Sequence, residues 1–189
     1  MIWRNIPNLI SLLRLALIYP VAWLILEGRF RDVMLLFAVA ALTDALDGFL
    51  AKRNNWVTEL GTFLDPLADK LLLVTVFVCL SMAGMIPWWL TLLVFLRDLV
   101  IGLGALTYRL LFGPLNARPT VPSKLNTLFQ IVYCLAVVAR AAYGYPTSPY
   151  VVTLGAIVLV TTFVSGLDYT LSYARRAAAV TRSEATASS

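Results

Sequence analysis

Asp44, Asp47, Asp65 and Asp69 stand at the edges of long apolar stretches, with Gly48, Ala51, Lys52 and Gly61 between them in the pattern D(x)2DG(x)2AK(x)8G(x)3D(x)3D. Charged side chains at membrane depth are costly, so each is by default a functional candidate. Residues three or four apart on a helix share a face, which points Asp44 with Asp47 and Asp65 with Asp69. If the two helices are antiparallel neighbours joined by a short polar turn ending at Gly61, four carboxylates surround one small volume. Unpaired, they would repel one another and take up protons. Divalent cations resolve the repulsion, and an all-oxygen ligand set without Cys or His selects hard ions such as Mg2+ or Mn2+. Two such ions held a few ångströms apart by shared carboxylates form the clamp used for displacement at phosphorus. Gly48 and Ala51 leave room beside Asp47, and Gly61 lets backbone approach a bulky headgroup. Lys52 and Arg53 sit at the same mouth, placed to meet phosphate.

A lone carboxylate near a helix end is more often a cap, an ion pair or a snorkelling group than a metal ligand. Four at this spacing are hard to explain that way. An ion or proton transporter built on membrane acids is the alternative from a different class. It is disfavoured because the acids cluster at one membrane face and not at the midplane.

The elements that carry these residues are apolar. Of the 189 residues, 60% are hydrophobic and 13% charged, with a mean hydropathy of +0.84, far from an ordinary soluble domain. The formal charge of +5 points to anionic lipid headgroups and away from nucleic acid. With no histidine in the chain, His-based acid/base catalysis, Ser/His triads and imidazole metal ligands are excluded. Cys79 and Cys134 fall inside apolar stretches and read as packing residues, not a disulfide framework.

Six stretches approach the roughly 20 residues a helix needs to cross hydrocarbon: Leu9–Leu26, Val33–Leu50, Leu64–Ala83, Pro87–Leu111, Leu125–Ala142 and Tyr150–Tyr173. Sustained period-two alternation is absent from them, so the predicted fold is an all-α integral membrane protein with six transmembrane helices in one bundle. At or beyond the ends of the spans, nine Lys and Arg fall on one side and three (Arg29, Arg31, Arg140) on the other. That asymmetry predicts both termini and the aspartate turn in the cytoplasm. Residues 1–176 read as one membrane domain and the Ala/Ser/Thr-rich 177–189 as a disordered tail. The first span lacks a small-residue cleavage site after it and is expected to be retained. The start from Asn5 to Arg14 is either a short interfacial amphipathic helix or a plain lead-in, with Pro7 in the first turn and Arg14 snorkelling to headgroups.

The run Asp44-Ala-Leu-Asp47-Gly48-Phe-Leu-Ala51-Lys52 with Gly61, Asp65 and Asp69 closely resembles the signature of the CDP-alcohol phosphatidyltransferases. Six spans with cytoplasmic termini agree with that family. The resemblance implies attack of an acceptor hydroxyl on the β-phosphorus of a CDP-linked lipid such as CDP-diacylglycerol, with release of CMP. It implies that the four aspartates hold two divalent cations, that Asp69 is also the base, that Gly48, Ala51 and Gly61 line the cytidine and diphosphate region, and that the protein is a homodimer. The family usually carries Arg where this chain has Lys52, which keeps the charge and loses the bidentate fork. Whether Lys52 or the adjacent Arg53 meets the diphosphate stays open on sequence alone.

Two further segments bear on the acceptor. Arg97-Asp98 lies inside the fourth span, either as a self-satisfied ion pair or as a cation facing the site, the second being favoured by the cost of a membrane Arg without use. The loop from Asn116 to Gln130 carries Arg118, Ser123, Lys124, Asn126 and Thr127, and its cations either hold phosphate or anchor the loop to headgroups. This segment resembles the eukaryotic-type cardiolipin synthases within the family, which implies phosphatidylglycerol as acceptor. The phosphatidylglycerophosphate synthases tend to have GKxKT there and use glycerol 3-phosphate. A small dianion benefits from an extra cation, so Asn126 in place of Lys favours the lipid acceptor. No organellar transit peptide is visible, and a bacterial inner membrane is the expected location.

Overall fold

The computed structural model describes residues 6–41, 59–112 and 120–187, with side chains described over 12–41, 68–105, 107, 110 and 120–171. Six helices account for most of it: α1 (Ile6–Leu26), α2 (30–41), α3 (Glu59–Met82), α4 (Trp88–Phe112), α5 (Val121–Tyr143) and α6 (Ser148–Ala187). No strand occurs among the described residues. Three stretches are long and apolar enough to cross a membrane: Trp88–Ala105, Val121–Tyr143 and Ser148–Leu171. Leu12–Leu26 forms a shorter apolar run in α1.

The helices end where the local chemistry stops them. At the end of α1 the Gly28 amide donates to the Ile25 carbonyl and the Arg29 amide to Leu24, and at the end of α3 the Gly84 amide donates to Ser81 and Met85 to Leu80. Both closures need a left-handed residue, and Gly28 (φ 73°) and Gly84 (φ 72°) supply it without a Cβ penalty. The α1–α2 and α3–α4 links are therefore short.

Several boundaries differ from expectation. α1 runs without interruption from Ile6, so the lead-in is part of the first helix and forms no separate interfacial one. α3 begins at Glu59, which places Gly61 inside its first turn and not at the end of a preceding turn. A glutamate suits that end, where the helix dipole presents positive charge. α5 begins at Val121, so Ser123 and Lys124 are helical; Pro122 fits a first turn that asks for no amide donor. α6 continues to Ala187, through the residues expected to form a disordered tail from 177. Alanine, the strongest helix former, sustains it there.

The chain divides into two compact units, Met1–Thr91 with Cys134–Ser148 and Leu92–Tyr133 with Pro149–Ser189. In the first, α1 packs on α3, and the interior is apolar, with Ile25, Val33, Phe77 and Leu80 buried. Among its described residues the buried polar side chains are Ser81 and Thr91, whose hydroxyls pair at 2.6 Å. The second unit buries Arg97, Asn126, Gln130, Thr162 and Ser165 beside Val94, Tyr133 and Val158, while Leu92, Phe95, Leu96, Leu99 and Leu103 of α4 are exposed. Leucine outside and hydrogen-bonding side chains within is what a lipid solvent favours, since helix association there relies on packing and polar contacts.

Candidate active site

Asp65 and Asp69 lie four residues apart in α3, with Gly61 four residues earlier. Helical geometry puts a bare position and two carboxylate positions along one face. Like charges at i and i+4 on a helix are unfavourable, so two carboxylate positions at this spacing call for positive charge nearby. One source is α1. Arg14 donates from Nη1 to Asp69 Oδ1, across 55 residues of sequence, and its side chain is 14% exposed against 59% for Asp69. Arg14, read as a candidate for snorkelling to headgroups, pairs with Asp69 from the helix that packs on α3. Sequence reasoning missed this because the pairing depends on which two helices touch.

Asp44, Asp47, Gly48, Ala51, Lys52, Arg53 and Arg118 lie outside the described residues, and so does the side chain of Asp65. Among the described residues, no group of three or more metal-ligating side chains occurs.

In the second unit, Arg97 forms the ion pair with Asp98 that the sequence offered as one alternative, and adds two serine hydroxyls to it. Its Nη1 donates to Asp98 Oδ1 at 2.5 Å, and its Nη2 donates to Ser123 Oγ at 2.8 Å and to Ser165 Oγ. The side chain is only 4% exposed, yet Nε has no hydrogen-bond partner among the described residues. Ser123, read as part of a loop, reaches Arg97 because α5 starts early enough to make it helical. Lys124, one residue on, is exposed, and the structure does not bring it to this cluster.

Below Ser123 on the same face of α5 come Asn126 and Gln130, each 0% exposed. Thr161 and Thr162 hydroxyls lie 2.9 and 3.0 Å from Asn126 Oδ1. Asn126 Nδ2 and both amide atoms of Gln130 are buried without partners among the described residues. Each such group costs about 1–3 kcal/mol. This polar layer was only half legible: the residue types were visible, but their common face was not while they were read as loop.

Residues 4–167 match the family model for CDP-alcohol phosphatidyltransferase. The chain belongs to that family. It is 37% identical over 183 residues to "Cardiolipin synthase (CMP-forming)" of Rattus norvegicus, covering 87% of this chain and 60% of the relative. It is 35% identical over 176 residues to "Probable phosphatidylglycerophosphate synthase" of Mycobacterium tuberculosis, covering 87% and 79%. With "CDP-diacylglycerol--glycerol-3-phosphate 3-phosphatidyltransferase" of Aquifex aeolicus it shares 34% identity, covering 88% and 94%. The chain thus spans about 60% of the length of the mammalian relatives it matches.

Proposed function

We propose that this chain transfers the phosphatidyl group of CDP-diacylglycerol to phosphatidylglycerol, giving cardiolipin and CMP. The names of the rat and human relatives support the reaction. Asn126 carries the acceptor assignment. It is fully buried and its hydrogen bonds among the described residues are to the Thr161 and Thr162 hydroxyls, so the second unit offers an uncharged amide where a glycerol 3-phosphate enzyme tends to have lysine. One negative charge on phosphatidylglycerol is then met by Arg97, with Arg118 and Lys124 as further cations of the acceptor side. Phosphatidylglycerophosphate synthesis from glycerol 3-phosphate is the second reading, favoured by the two bacterial relatives.

Asp44, Asp47, Asp65 and Asp69 would hold two divalent cations, Mg2+ or Mn2+; an all-carboxylate donor set, with no Cys or His at these positions, fits hard ions. When bound, such ions stabilise the attacking and leaving oxygens of a displacement at phosphorus. Asp69 takes the proton of the acceptor hydroxyl. The hydroxyl oxygen bonds to the β-phosphorus, the bond from that phosphorus to the bridging oxygen breaks, and CMP leaves with the electron pair. Gly48, Ala51 and Gly61 leave space for the cytidine diphosphate, and Lys52 and Arg53 meet its charge. Arg14 offsets part of the acidic charge.

The membrane domain occupies residues 1–176 with six spans and cytoplasmic termini, in a bacterial cytoplasmic membrane with the site facing the cytoplasm. The Lys and Arg asymmetry supports that orientation. The protein works as a homodimer, which Gly- and Ala-bearing apolar faces accommodate. To test the acceptor, purified protein is given CDP-diacylglycerol, Mg2+ or Mn2+, and either phosphatidylglycerol or glycerol 3-phosphate. Cardiolipin from the first is expected, and product from glycerol 3-phosphate alone would overturn the assignment.

A further inference from the structure

Arg14 lies inside the apolar run Leu12–Leu26 of α1. Its neighbours Leu12 and Leu13 are exposed, while the Arg14 side chain keeps only 14% of its surface, so the cation is turned into the protein and the leucines out of it. A charge inside an apolar helix is costly unless it faces the interior and finds a partner there. Arg14 finds one across the contact of α1 with α3, donating from Nη1 to Asp69 Oδ1. Burial falls unequally on the two. Ala68, next to Asp69, is buried, which sets that turn of α3 against the protein, yet the Asp69 carboxylate is 59% exposed. The guanidinium is anchored by packing, and the carboxylate it holds stays open to a ligand.

Two demands fall on that one carboxylate. The function proposed above gives Asp69 a share of a divalent cation and the proton of the acceptor hydroxyl, while Arg14 already brings Oδ1 a positive charge that no accessible pH removes. Cations that share a carboxylate repel each other, and a divalent ion feels the repulsion twice as strongly as a monovalent one. Arg14 therefore opposes metal binding at Asp69. What it contributes is orientation: a donor on a buried stem restricts the rotation of a carboxylate that is otherwise surrounded largely by solvent, and a reacting group must be held by neighbours that are themselves locked.

We propose that Arg14 is a positioning residue for Asp69, one that orients the carboxylate for turnover and in doing so lowers the affinity of the site for divalent cations. The inference rests on the two-metal reading above, and deepens it by naming the side chain that sets how Asp69 engages its ligands. It separates Arg14 from a residue that only holds α1 on α3, whose loss would leave metal affinity unchanged or weaker.

The test reads metal binding and turnover separately. Mn2+ binding to purified full-length protein is measured by electron paramagnetic resonance, without substrates, for wild type, Arg14→Gln and Arg14→Lys. CMP release at saturating Mn2+ then gives kcat and KM for CDP-diacylglycerol, with phosphatidylglycerol or glycerol 3-phosphate as acceptor, whichever yields product. Arg14→Gln should bind Mn2+ about tenfold more tightly and yet turn over about thirtyfold more slowly, with KM for CDP-diacylglycerol within about twofold of wild type. Arg14→Lys keeps the charge and loses the planar donor, so its Mn2+ affinity should stay within about threefold of wild type and its kcat fall only about fivefold. Should Arg14→Gln fail to fold, that pairing of near-constant affinity with reduced kcat in Arg14→Lys carries the measurement. Mn2+ affinity unchanged or weakened by Arg14→Gln, undiminished turnover in both variants, or a raised KM for CDP-diacylglycerol as the sole effect would overturn the inference. Mn2+ uptake by none of the three proteins would overturn the two-metal reading and the inference with it, whereas uptake indifferent to residue 14 overturns the inference alone.

Discussion

Arg14 and Asp69 meet from different helices, and the weight of their bond decides what substitutions there report. Asp69 is 59% exposed, and an ion pair of that kind contributes about 1 kcal/mol or less. Arg14→Gln should therefore shift Tm by no more than about 3 °C, so that any larger loss, read as CMP release, reflects the site and not the fold. Asp69→Asn in the same assay should cut turnover by about a thousandfold while CDP-diacylglycerol binding persists; substantial residual turnover would rule out its role as base. Arg97 differs in kind, since its guanidinium is 4% exposed and bonds Asp98 and two serines. The residue types were plain in the sequence, including a membrane arginine beside an aspartate. Which hydroxyls would hold it was not, because Ser165 lies 68 residues away.

At the level of the helices, α5 and α6 are held by small residues and hydroxyls more than by apolar bulk. Gly155 lets Tyr133 approach: an added Cβ would sit 3.3 Å from the ring carbons and hydroxyl, and Tyr133 is 4% exposed with little freedom to yield. Gly155→Ala should be tolerated with a shift of a few tenths of a kcal/mol to about 1 kcal/mol, whereas Gly155→Leu overpacks the contact by about 1–3 kcal/mol. Denaturation in detergent micelles checks the ranking, and a fully stable Gly155→Leu would contradict the close approach. The positions of the helices could be read from hydropathy alone, to within a few residues at most ends. Their starts were less legible. The helices α3 and α5 run beyond their apolar stretches, from Glu59 and Val121, and that extension put Gly61, Ser123 and Lys124 on helices.

For the molecule as a whole, the four-aspartate pattern predicts dependence on a divalent cation. Stripping with EDTA should abolish CMP release, and Mg2+ or Mn2+ should restore it; activity undiminished after thorough chelation would sink the two-metal assignment. The sequence by itself determined the helical, apolar character of the chain, the exclusion of histidine chemistry and the family signature, because each depends on residue type and short spacing. Hydropathy is a local sum, and a motif is carried within a turn or two of helix. Only the tertiary structure decided that Arg14 pairs with Asp69, that Arg97 is shared by Ser123 and Ser165, and that Asn126 meets Thr161 and Thr162 between α5 and α6. Those relations join residues tens of positions apart, and they depend on which helix faces meet and in what register, which residue types alone do not encode.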